Sequence, residues 1–200
     1  MTKTTHVMLA AMLFGAGFVG VIPVQAQSPG QNHVDHALKA FKATPEGVGL
    51  LQAAIKEAKI AQRHAEFAAK DLSNIDSMKR HLGHVLHALD TSVMSEGPGL
   101  GYGAQKATKG VIQHLGLAAK TDGASESLQA HAGHAIGFAE STLERIELIK
   151  GQIEKVNSSN SADEAAEHVK KVHDLSVQLT DGTEDEPGLV AAEKHLGMIS

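Results

Sequence analysis

The chain has 200 residues, 42% of them hydrophobic and only 3% aromatic, with no cysteine and a formal net charge of −5 at neutral pH. This length suits one domain with a real core. The acidic balance and the shortage of stacking aromatics exclude a nucleic-acid binder, and the absence of cysteine excludes disulfides and thiolate metal sites.

The first segment reads as an export signal. Lys3 supplies a short positive start, an apolar run follows from Val7 to Ile22, and Val24-Gln25-Ala26 has the small-x-small pattern of a cleavage site. Gly15, Gly17, Gly20 and Pro23 interrupt the run, which is short for a membrane span of ~20 apolar residues. With no cysteine there, lipid attachment is excluded. Residues 1–26 are therefore expected to be removed, leaving 27–200 as a single periplasmic or secreted domain that does not insert into the membrane. It would carry 17 basic and 23 acidic residues.

Beyond that point the apolar residues recur at three and four positions rather than two, which predicts an all-α protein. A short first helix is expected over 32–43, stopped by Thr44-Pro45. A second runs over 45–72, with Pro45 in its first turn and a stripe of Leu51, Ala54, Ile55, Ala58, Ala65, Ala69 and Leu72. Ser73 or Asn74 caps a third helix reaching Met94, with Ile75, Met78, Leu82, Val85, Leu86, Leu89 and Val93 on one face. "SEGPGLGYG" (95–103) is a glycine-rich turn with Tyr102 packed in it. It lacks the Gly-Lys-Ser/Thr ending of a phosphate loop and any preceding strand.

A fourth helix is expected over 104–120, and a long fifth over 125–156 with Leu128, Ala132, Ala135, Ala139, Thr142 and Ile146 inward. Ser161 and Glu164 form a capping box for a sixth helix reaching Leu179. The acidic turn "TDGTEDEPG" precedes a terminal helix over 189–196. These stripes fit a four-helix-type bundle with additional short helices at its ends.

Histidine is the unusual component, with 13 in the chain, 12 of them after residue 26. His-x-x-His occurs at 33/36, 81/84, 84/87 and 131/134, and neighbours three apart on a helix can share one ion. Neutral imidazole is a ligand for copper(II), nickel, zinc and cobalt. Each pair offers two ligands, so a site must draw others from another helix or from Asp35, Asp90 or Glu140. On the helical wheel His81, His84 and His87 lie opposite the apolar face of their own helix, facing solvent or another element. His131 borders its stripe beside Phe138, His114 borders the stripe of the fourth helix, and His64 lies with Ile60 and Phe67. A short motif also recurs: His81-Leu82-Gly83, His114-Leu115-Gly116, His131-Ala132-Gly133 and His195-Leu196-Gly197.

The first candidate ligands are His81, His84, His87, His131 and His134, with His33, His36, His64 and His114 second. The expected cofactor is a divalent transition metal (copper, nickel or zinc), and no catalytic residues are assigned. Glu140, Glu144 and Glu147 lack the Glu-x-x-His partners of a di-iron bundle. Haem held non-covalently by His114 and His131 is an alternative, as is a metal-free adaptor whose histidines respond to pH.

The segments "HVDHALKAF" (33–41), "AKIAQRHAEFAAK" (58–70), "KRHLGHVLHALD" (79–90) and "QAHAGHAIGFAE" (129–140) resemble the small, histidine-rich, cysteine-free periplasmic metal-binding proteins. The resemblance implies a helical bundle that takes up copper and other divalent metals, acting as a buffer or carrier. This chain is longer and less dense in histidine than that type. Residues 84–107 are also similar to uncharacterised exported bacterial proteins, which implies no function.

Overall fold

The computed structural model describes residues 29–197; the expected signal segment lies outside the described residues. Seven α-helices follow in order: α1 (Pro29–Leu38), α2 (Leu50–Lys70), α3 (Ile75–Leu89), α4 (Ala104–Ala119), α5 (Glu126–Ser158), α6 (Ala162–Asp181) and α7 (Leu189–Leu196). The all-α bundle expected from the periodicity is present.

Local chemistry explains the helix ends. The Asn74 side chain accepts the Ser77 N–H at 3.0 Å, Ser125 accepts that of Leu128 at 3.1 Å, and Ser161 accepts that of Glu164 at 3.2 Å. Each satisfies an N–H that the first turn leaves without a helical partner. The Glu164 carboxylate reaches back to the Asn160 N–H at 3.0 Å, one residue earlier than a capping box requires.

Several expected boundaries move, and the first helix spans Pro29–Leu38 rather than 32–43. The second helix begins at Leu50 rather than at Pro45, because 40–48 folds into a tight turn. There Ala40 bridges Val48, Glu46 takes a left-handed φ of 61°, and the Thr44 hydroxyl donates to the Phe41 carbonyl at 2.8 Å. The third helix stops at Leu89 instead of Met94. Asp90 leaves helical geometry and accepts the Ser92 N–H at 3.0 Å, so Val93 ends up 53% exposed rather than in the stripe.

Four helices close the bundle in a ring, α2 against α4, α4 against α5, α5 against α6 and α6 against α2. The core is built largely of small residues. Ala54, Ala58, Ala61 and Ala65 of α2 and Ala132, Ala135 and Ala139 of α5 are buried. Larger side chains complete it, among them Leu51, Leu115, Ile146, Ile149 and Ile153. The remaining three helices are accessories. α1 lies on α4, α3 on α2 and α7 on α5.

The glycine-rich connection wraps a buried carboxylate. Glu57 of α2, fully buried, accepts the N–H groups of Leu100 at 3.1 Å, Tyr102 at 2.8 Å and Gly103 at 3.0 Å. Gly99 has φ 138°, and a Cβ there would stand 2.3 Å from Glu57 Oε2. The N–H groups of the loop do converge on a carboxyl group, but it is the protein's own side chain. The acidic turn after α6 is likewise anchored, since Glu186 pairs with the buried Arg145 at 2.5 Å.

Candidate metal centres

Each accessory helix meets its bundle helix at three histidines. His33 and His36 of α1 converge with His114 of α4. His81 and His84 of α3 converge with His64 of α2. His131 and His134 of α5 converge with His195 of α7. Within every group, one ring nitrogen from each residue lies within 4.8 Å of the others. The i, i+3 spacing puts two imidazoles of a pair on one side of a helix, and the accessory contact brings the third from across the interface.

The second triad is the most compact. His64 Nδ1 is 3.3 Å from His81 Nδ1 and 3.2 Å from His84 Nδ1. A metal bound tetrahedrally by imidazoles at ~2.0–2.1 Å sets its ligand nitrogens about 3.3 Å apart. In the first triad the Nδ1 atoms of His33 and His114 are 2.9 Å apart.

The nitrogens are also poorly satisfied by protein. His36 Nδ1, His131 Nδ1 and His195 Nδ1 are buried and find no hydrogen-bond partner among the described residues. A buried polar atom left this way costs about 1–3 kcal/mol, which a coordinated ion would relieve.

A phenylalanine stands beside every triad. The ring of Phe41 lies 5.3 Å from that of His36 and 5.2 Å from that of His114. Phe67 is 5.5 Å from both His64 and His81, and Phe138 is 5.3 Å from His195. Each triad thus has an aromatic ring packed against at least one of its imidazoles.

At three of these histidines, in the first two triads, the electrostatics favour neutral imidazole, the form that binds metal. Burial, aided by the fields of His84, His81 and Arg63, lowers the His64 pKa to about 4. His81 is lowered by burial, Arg80 and His84, and His114 by burial, His36 and His33. No carboxylate joins any triad. Asp90 and Glu147 are held by Lys150 at 3.0 and 3.2 Å, and Asp35 pairs with Lys39 at 2.9 Å.

Of the nine candidate ligands, eight fall within the triads. His87 stands apart: it is buried, so it belongs to the interior of its helix rather than to the polar side expected from the wheel, and its Nδ1 lies 2.9 Å from the Met94 carbonyl oxygen. The histidine that sequence reasoning left out of the ligand set is His195. Its signal was the short His-Leu-Gly or His-Ala-Gly motif, since all four histidines that open one (His81, His114, His131 and His195) lie in triads. His114 and His131 belong to different triads.

No helix among the described residues is long and apolar enough to cross a membrane. Compared with known proteins, the chain matches no family model, no curated protein and no solved structure.

Proposed function

We propose that this protein binds divalent transition metal at three sites, His33/His36/His114, His64/His81/His84 and His131/His134/His195, and acts as an exported buffer or carrier. The observation that carries the reading is the threefold recurrence of one arrangement, a His-x-x-His pair facing a single histidine across a helix interface. Three neutral nitrogen donors suit copper(II), nickel and zinc, with copper(II) held most tightly in the usual order of affinities. Three protein ligands leave a coordination position open, which supports exchange of the ion with other molecules. The signal-like pattern of residues 1–26 supports export.

Equilibrium dialysis of the protein, made without a histidine tag, against copper(II), nickel or zinc at neutral pH tests the reading. Elemental analysis should return close to three ions per chain. Less than one retained ion with all three metals would refute it.

A further inference from the structure

The first triad differs from the other two in what adjoins it. A cavity of about 560 Å³ opens between α4 and the loops flanking Tyr102, and His114 lines this cavity while also belonging to the triad. The volume is in the range of pockets that hold small organic ligands. Two further sizeable cavities share no residue with any triad.

The lining is chemically sorted. Lys106 and Lys109 come from neighbouring positions of α4, with Gln105 and Gln113 on the same helix, while Phe41 and Tyr102 add apolar surface. The Lys106 ammonium sits 4.3 Å from the centre of the Tyr102 ring, and Lys109 makes no ion pair among the described residues. The one carboxylate in the wall, Asp90, already accepts hydrogen bonds from Lys150 and Ser92. The cavity therefore presents positive charge that no lining carboxylate pairs with, together with the Gln113 amide and an apolar wall; the Gln105 amide already donates to Glu147 at 2.7 Å.

A metal in the adjoining triad would add to that charge, because three neutral imidazoles cancel none of it. We infer that the cavity takes a small organic anion bearing two carboxylates, which bridges Lys106 and Lys109 to the open coordination position of the ion at His33/His36/His114. This inference rests on the proposed metal binding. The first site would thus take up its ion together with an organic acid, and each ligand would strengthen binding of the other by the same factor. The apolar wall of Phe41, Leu50 and Tyr102 favours an organic acid over a bare phosphate.

Calorimetric titration with malonate tests this, run on metal-free protein and on protein whose zinc content has first been counted by elemental analysis. Malonate should bind the zinc-loaded protein about tenfold or more tightly than the metal-free form. The Lys106→Ala/Lys109→Ala variant should lose about tenfold or more of that affinity, the expected worth of charge-assisted contacts, with its zinc content unchanged. Inorganic phosphate, run in parallel, should bind more weakly. His33→Ala should remove the zinc dependence of malonate binding. Unaltered malonate affinity in the double lysine variant, or no malonate binding by fully loaded protein, would overturn the inference while leaving metal binding intact. Phosphate binding as tight as malonate would overturn the assignment to an organic acid. A zinc count below one would overturn the metal reading, and this inference with it.

Discussion

Replacing His64 with alanine gives the sharpest view of whether the triads act as metal centres. His64 is the only ligand that α2 contributes to the compact triad, and it meets two partners on α3 at 3.2–3.3 Å. Without it an isolated pair remains on α3. Loss of an outer-shell partner alone weakens metal sites by about 10–100-fold, so loss of a direct ligand should cost at least the upper end of that range. At free metal about 100-fold above the dissociation constant, an intact site stabilises the fold by about 2.7 kcal/mol. In a domain of this size that corresponds to a rise in Tm of roughly 5–11 °C.

The metal-free variant should differ from the parent by only about 1 kcal/mol or less, since His64 is half-buried and its removal opens no core cavity. Differential scanning calorimetry of both proteins, with and without zinc, separates the two effects. The zinc-induced rise in Tm should shrink by one site's share in the variant, and bound zinc should fall by one ion per chain. An equal zinc-induced rise in both proteins would refute the assignment of His64 as a ligand.

Two other outcomes follow from the geometry. The lowered pKa of His64, from 6.5 to about 4, means that the unfolded chain binds more protons than the folded one across that interval. Stability of the metal-free protein should thus be complete above about pH 6.5 and decline as pH falls towards 4, and urea midpoints measured across this window should show the decline. His64→Ala should flatten that dependence. Glu57→Ala strands two buried N–H groups, those of Tyr102 and Gly103, and should destabilise by about 2–6 kcal/mol in chemical denaturation, with bound zinc unchanged in the folded fraction.

The helices were legible because their signals are local. Asn74 and Ser161 announce their caps, and the alanine and leucine stripes announce the faces that become the core. The His-x-x-His pairs were legible for the same reason, since a three-residue spacing fixes a shared side of one helix. Which third histidine each pair meets was not, because that depends on which helices pack together. His64 and His114 look like ordinary border histidines until α3 and α1 are laid against them, and His195 sits in a helix of eight residues. His87 shows the opposite failure. It continues the spacing of His81 and His84, but each three-residue step also turns ~60° around the helix, and the second step carries it away from α2 to the Met94 carbonyl. The glycine-rich loop concealed Glu57 similarly, because its partner lies more than forty residues earlier in the chain.

The pairing of each accessory helix with a bundle helix has a topological consequence. Metal bridges would act as reversible cross-links in a chain that has no cysteine with which to make covalent ones. His64 and His81 are 17 residues apart, whereas His33 and His114 are separated by 81. For permanent cross-links, chain-entropy estimates run from about 3 kcal/mol for a 15-residue loop to about 4.7 kcal/mol for 100 residues. The bridges at the first and third triads tie α1 and α7, the two outermost described helices, back to the body of the protein. Loading these sites would close the long loops of the chain, and a chelator would open them again without any redox chemistry.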